Sequence, residues 1–241
     1  MAIQSKDLTY VVGGVDMRSC YYVDPTAKGK RPGILVYPDA SGLDHVAHAG
    51  ARRLAEEGYA ALACDLYGSG RVINDQPQAV EFAKKLVGDL TALAANGEAA
   101  FAALGSQAEV DPSKIAGMGY CLGGNVVVEL ARSGVPLAAI IGFHGGAVRP
   151  ARERSRNIKG KVLLCLGAND PMIPLAMRSA FEEDMRAADV DWRMHIYGRA
   201  YHSFTNPRAA DFNRPDAMRY DKDAEQRSWL EVKALLAEVF G

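Results

Sequence analysis

The sequence has no long hydrophobic run. Nothing in it approaches the ~20 consecutive apolar residues of a membrane helix, so a membrane partner is not expected. Neither charge is in excess: 28 Lys and Arg stand against 29 Asp and Glu, a formal net charge of −1. Without a global basic field, nucleic acid is not an expected partner. The first ten residues lack the basic-then-apolar pattern of a secretory leader, and a cytoplasmic location is expected. Cysteine is scarce. Cys20, Cys64, Cys121 and Cys165 are widely spaced, with no C-x-x-C pair. In a cytosolic chain that argues against disulfides and a zinc knuckle. Repeats, low-complexity segments, linkers, a Walker loop and a dinucleotide fingerprint are also missing.

What is present is ordinary globular composition. Of the 241 residues, 49% are hydrophobic and 24% charged, which excludes a disordered chain, a collagen and a coiled coil. A chain this long buries roughly 70–75% of its unfolded surface and needs no disulfide or metal to hold it. One domain over residues 1–241 is expected.

Short apolar runs alternate with helical stretches. Residues 8–12 and 17–23 read as a hairpin around Gly13-Gly14. Buried strands are expected at 33–37, 59–64, 114–118, 137–143 and 162–166, and a last strand at 192–197. Helices are expected at 44–57, 122–133, 175–188 and 224–240. Residues 77–104 are Ala- and Leu-rich and read as helix broken near Asn96-Gly97. This alternation predicts an α/β fold with a mostly parallel sheet, helices on both sides and an N-terminal β-hairpin. In such sheets sites form at the C-terminal ends of the strands.

The sharpest signal is Gly119-Tyr120-Cys121-Leu122-Gly123-Gly124, between a predicted strand and a predicted helix. It is the cysteine form of the G-x-S-x-G elbow. There the nucleophile sits in a strained turn, and strand and helix approach so closely that the flanking positions must be small; Gly119 and Gly123 meet that need. The turn opens a helix, whose positive end and free amides favour a thiolate. The Leu122 amide would face a developing oxyanion. A buried structural cysteine in a glycine-rich turn is the plainer alternative.

A cysteine nucleophile needs a base and a group to orient it. Asp170 follows the strand at 162–166, and His202 follows the last strand. The order Cys121, Asp170, His202 is that of α/β-hydrolases. Cys121 would attack, His202 would shuttle the proton, and Asp170 would fix the imidazole.

These segments resemble the dienelactone hydrolase family of α/β-hydrolases. The matching stretches are GYAALACDLYG (58–68), GYCLGG (119–124), GANDPMIP (167–174) and HSFTNP (202–207). The resemblance implies the α/β-hydrolase fold and the same triad. It implies a second oxyanion amide at Ala40 and a carboxylate beside the thiol at Asp39, where the family typically has Glu. Asp39, Tyr67, His144 and Phe204 are the candidates for contact with the thiol or pocket. Dienelactone-cleaving members bind the substrate carboxylate with two arginines. One of those positions holds Asn206, and none lies around 75–80, so Arg71 and Arg208 are the nearest substitutes. A neutral ester or lactone is therefore the expected substrate. An activated phosphotriester is a further one, because the chain is also similar to promiscuous relatives from environmental DNA.

Other signals carry less. His144-Gly145-Gly146 is like the oxyanion segment of lipases but follows the nucleophile instead of preceding it. His45 and His48 are spaced to share a helix face, but no third ligand accompanies them. Cys20, Cys64 and Cys165 read as core thiols, and residues 208–227 as a solvated loop and helix face. A glutamine amidotransferase would need H-x-E late in the chain; His195-Ile196-Tyr197 has no acid. A redox-sensing or binding protein using Cys121 is the alternative of a different class. The expectation is a hydrolase that takes a small-molecule substrate, as monomer or homodimer, without cofactor or metal.

Overall fold

The computed structural model describes residues 2–241. Strands β1 (Gln4–Val12) and β2 (Val15–Val23) form the expected hairpin. Val12 lies opposite Val15, so the loop is only Gly13 and Gly14, at φ 55° and 81°. Two consecutive positive φ values define the tight turn whose twist suits a hairpin, and glycine takes them without strain.

The remaining strands are β3 (Arg31–Tyr37), β4 (Ala60–Ala63), β5 (Val110–Tyr120), β6 (Ala139–Phe143), β7 (Lys161–Gly167) and β8 (Trp192–Tyr197). They form one eight-stranded sheet in the order β1-β2-β4-β3-β5-β6-β7-β8. From β4 to β8 every pairing is parallel, and β2 joins β4 antiparallel. This is the α/β-hydrolase arrangement.

Side chains alternate across the sheet with the strand period of two. On β3, Leu35 and Tyr37 face one core, and Ile34 and Val36 the other. The first core is covered by α3 (Leu90–Gly105), α4 (Leu122–Ser133) and α6 (Leu175–Ala187), through Leu104, Val127 and Phe181 among others. The second is covered by α1 (His45–Glu56) and α7 (Lys222–Phe240), through Leu54 and Trp229 among others. The chain passes from β3 to β4 on one side, then to β5 on the other. The helices that follow β3 and β5 therefore lie on opposite faces of the sheet, and the order reverses at the ends of those strands.

The sequence expectations need four corrections. Helix 77–104 does not break at Asn96-Gly97. It divides at Asp89, which ends α2 (Gln76–Gly88) and caps α3 by accepting from the Ala92 amide at 2.9 Å. Asn96 and Gly97 are buried within α3, where a Cβ on Gly97 would meet Leu130 of α4 at 2.1 Å. That glycine marks a close helix crossing. Short α5 (Arg152–Ser155) and a 3₁₀ turn at Ala209–Phe212 lie where no helix was expected. Cys20 is half-buried on β2 and is not a core thiol. The hairpin begins at Gln4, before the predicted start.

Candidate active site

Strand β5 ends at Tyr120 and α4 begins at Leu122. Cys121 alone makes the turn, at φ 50° and ψ −111°, with no side-chain cap on the helix. A non-glycine residue in this conformation stores strain, and such strain concentrates at functional sites. The neighbouring chain leaves no room for side chains. A Cβ on Gly119 would lie 2.1 Å from the Gly123 backbone, and one on Gly123 would lie 2.3 Å from Tyr37 O. A Cβ on Gly145 would lie 2.0 Å from Cys121 O. The loop after β3 therefore rests directly on the first turn of α4, bringing the Ala40 loop beside Leu122.

The four thiols differ in setting. Cys64 and Cys165 are fully buried, and burial pushes both thiols up, Cys165 to about 12. Cys121 is partly exposed, at the N-terminus of α4 where the Leu122 and Gly123 amides precede the first intrahelical bond, from Gly124 N to Cys121 O at 3.1 Å.

Asp170 lies just beyond β7 and His202 just beyond β8, both almost fully buried. His202 Nδ1 and Asp170 Oδ2 are 2.8 Å apart. The other Asp170 oxygen accepts from the Met172 amide at 2.8 Å, so the carboxylate is fixed at both ends. The His202 backbone is tied to residues 217 and 219 by two hydrogen bonds of 3.0 Å. Its Nε2 is buried and, with Nδ1 on Asp170, is the nitrogen left to Cys121. Burial works against a charged His202; the Cys121 sulfur, by electrostatics and hydrogen bonding, and the Asp170 bond outweigh it and raise the imidazole to about 10. Three residues from three strand ends, 32 to 81 positions apart in sequence, thus act on one another.

The surrounding candidates fall into two groups. Asp39, Ala40 and Tyr67 lie on the elbow side. The Tyr67 hydroxyl donates to Ala40 O at 3.1 Å. Burial, then the charges of Asp39 and Cys121, push that hydroxyl well above its ordinary value, which places Tyr67 beside both. Asp39 turns one oxygen to its own loop, accepting from the Ser41 amide at 2.8 Å. His144 and Phe204 lie on the histidine side, both buried. Phe204 is fully buried, packed on His144 and Tyr197. His144 is 2% exposed, with its ring centroid 5.0 Å from that of His202. Its Nε2 lies 2.8 Å from Thr205 Oγ1, a pairing that sequence spacing gives no means of finding.

The two substitute arginines are both engaged. Arg71 lies over the Phe82 ring, which packs edge-on against Tyr67. Arg208 pairs with Asp211 at 2.9 Å and lines a cleft of about 600 Å³ with Ser41, Asp44, His45 and Asn206. Asn206 uses its side-chain oxygen for His45, at 3.1 Å, and for the Arg208 amide, at 2.9 Å. Within the cleft, burial and then the charge of Asp39 raise Asp44 to about 6. His45 and His48 have separate partners, Asn206 and Tyr22. Among the described residues no cluster of three or more His, Cys, Asp or Glu is placed to hold a metal. His195 pairs with Glu231 on α7 at 3.6 Å. Among the described residues no helix is long and apolar enough to cross a membrane.

Comparison with known proteins agrees with this architecture. The model of the dienelactone hydrolase family matches residues 19–240. A carboxymethylenebutenolidase of Pseudomonas sp. (strain P51) is 30% identical over 211 residues, covering 80% of this chain and 82% of that protein. The crystal structure of P91, a dienelactone hydrolase-like promiscuous phosphotriesterase from metagenomic libraries, is 38% identical. It superposes with a TM-score of 0.96 over 100% of both chains. A structure named m3DLH is 40% identical, with a TM-score of 0.96 and the same full coverage. On the family match across nearly its whole length, joined to the α/β-hydrolase sheet, this chain is a hydrolase belonging to the dienelactone hydrolase family.

Proposed function

We propose that this ester and lactone hydrolase works through Cys121, His202 and Asp170, on neutral substrates. The observation that carries the reading is the strained, partly exposed Cys121 at a helix N-terminus, acting on a buried His202 that Asp170 holds at 2.8 Å. The Cys121 sulfur attacks the ester carbonyl carbon, and the oxygen takes the negative charge. The Leu122 and Ala40 amides receive that oxyanion. The carbon–oxygen bond then breaks, and His202 gives its proton to the departing alkoxide. A thioester remains on Cys121. Water attacks it, His202 takes the water's proton, and the carboxylic acid leaves as the thiolate returns. In a lactone the freed hydroxyl stays tethered to the acyl group, and the second step releases a single hydroxy acid.

The neutral-substrate reading rests on Asn206, which stands where the resemblance puts a carboxylate-binding arginine and spends its side-chain oxygen on His45 and the Arg208 amide. The reading extends to activated aryl phosphotriesters. The same sulfur would attack phosphorus, expel the aryl oxide and leave a thiophosphoryl intermediate for water. The likeness to P91 supports this extension.

The test is turnover of a p-nitrophenyl ester, a lactone and an aryl phosphotriester by wild type and Cys121→Ala. Turnover lost in the variant is the expected result. Activity that survives Cys121→Ala would overturn the triad. The best substrate in the panel decides between carbon and phosphorus.

A further inference from the structure

His144 sits at the end of β6, the strand between the one that leads to Cys121 and the one that leads to Asp170. Its backbone ties to both. Phe143 O accepts from the Cys121 amide at 2.9 Å, and the His144 amide donates to Cys165 O at 2.8 Å. Its side chain ties to the third limb. Nε2 is 2.8 Å from Thr205 Oγ1, three residues past His202. The ring meets the His202 ring edge-to-face, at 5.0 Å and 63°, and Phe204 at 5.5 Å and 81°.

This placement is costly. His144 has φ 38°, a left-handed conformation, and its buried Nδ1 has no hydrogen-bond partner. Left-handed strain and an unsatisfied buried polar atom each work against the folded state. An apolar ring would fill the same space without the orphaned nitrogen. A histidine kept here at such a cost points to a task beyond packing. His202 supplies the need, since Asp170 holds its Nδ1 and only the Cys121 sulfur acts on its other side.

We propose that His144, locked by Thr205, is a positioning residue that holds the His202 imidazole in line between Asp170 and Cys121. The proposal rests on the triad reading above. Three titratable groups face His202: Asp170 from the loop after β7, Cys121 from the elbow and His144 from the end of β6. Burial, then the charge on His202, hold His144 well below the ordinary histidine value. It therefore stays neutral and does not compete for the proton that His202 carries. Without the Thr205 bond the His144 ring is free to turn, and the His202 ring loses the surface that stops it swinging.

The experiment uses Thr205→Val, nearly isosteric and half-buried, with Thr205→Ser as the conservative rescue. His144→Asn is a second variant, because Asn tolerates positive φ. Each is read by kcat and KM and by an NMR titration of the His202 imidazole. For Thr205→Val and His144→Asn, the expected result is a fall in kcat of about tenfold or more with KM little changed. The His202 pKa should move from about 10 toward its ordinary value as the ring leaves its partners. Thr205→Ser should recover most of both. A purely structural role for His144 would leave the His202 titration where it is. Unchanged kcat and His202 titration in both variants, beside an inactive Cys121→Ala, would overturn the positioning role alone. Activity surviving in Cys121→Ala would overturn the triad and this proposal with it.

Discussion

The two ends of α4 are opposites. At the C-terminal end Arg132 is 1% exposed and fully satisfied. It donates to Asp184 and Glu129, each at 2.7 Å, and to Ser155 and the Arg149 carbonyl, each at 3.0 Å. Asp184 in turn accepts from Ser155 at 2.6 Å and from the Ala151 amide at 3.1 Å. The helix then stops on Gly134 in the left-handed region. At the N-terminal end nothing is closed off. Cys121 is strained and caps nothing, and His144 Nδ1 lies buried without a side-chain partner. The helix is 12 residues long, so about 18 Å separates a site built to stay put from one built to react. Satisfied polar networks rigidify, whereas unsatisfied groups are available to a substrate.

The largest expected effects separate the two ends cleanly. Cys121→Ala should lower kcat/KM by ~10³-fold or more while leaving the melting temperature unchanged, because the elbow backbone is kept. A joint assay of turnover and thermal unfolding checks it, and a large loss of stability would count against the elbow's purely chemical role. Asp184→Ala should do the reverse. It leaves the buried Arg132 with Glu129 as its one remaining carboxylate and strips Ser155 and the Ala151 amide of their acceptor, which costs up to about 3–5 kcal/mol. Urea unfolding should show that loss with kcat intact at temperatures where the variant stays folded.

The elbow was legible because its constraint is local: two glycines at fixed spacing, a strand before and a helix after. Asp170 and His202 were legible because parallel topology places successive strand ends side by side. The supporting contacts were not. His144 and Thr205 lie 61 positions apart, and Arg132 reaches Asp184 across 52; neither distance leaves a periodic trace. Asn96-Gly97 misled for a related reason. A buried glycine at a helix crossing and a helix-breaking glycine look alike until the opposing Leu130 is seen.

A smaller effect depends on pH. His202 has a folded value of about 10 against ~6.5 in an unfolded chain. The folded state therefore holds the proton more tightly. The stability this contributes is complete below ~6.5 and fades as pH rises through about 10. Asp170→Asn removes the carboxylate that helps hold that proton. The stability gap between wild type and Asp170→Asn should be widest near pH 6 and narrow toward pH 10. A gap that widened with pH would mean that the imidazole is neutral in the folded protein. The Arg132 end has no histidine among the contacts described, so Asp184→Ala should show no such trend across the same range.

The smallest effect compares glycine with glycine. Gly134 ends α4 at φ 100°, with no atom within 4 Å of where a Cβ would stand. Gly123 begins the same helix, with a Cβ position 2.3 Å from Tyr37 O. Gly134→Ala therefore meets only the backbone cost of the left-handed region, about 1–2 kcal/mol, and kcat should not change. Gly123→Ala must push the loop after β3 off the helix, moving the Ala40 amide away from Leu122. Matched measurements of stability and turnover on the two variants would isolate what a tight fit adds at the reactive end. If Gly134→Ala lowered kcat as much as Gly123→Ala did, the two ends of α4 would be mechanically coupled, and the division of labour along the helix would fail.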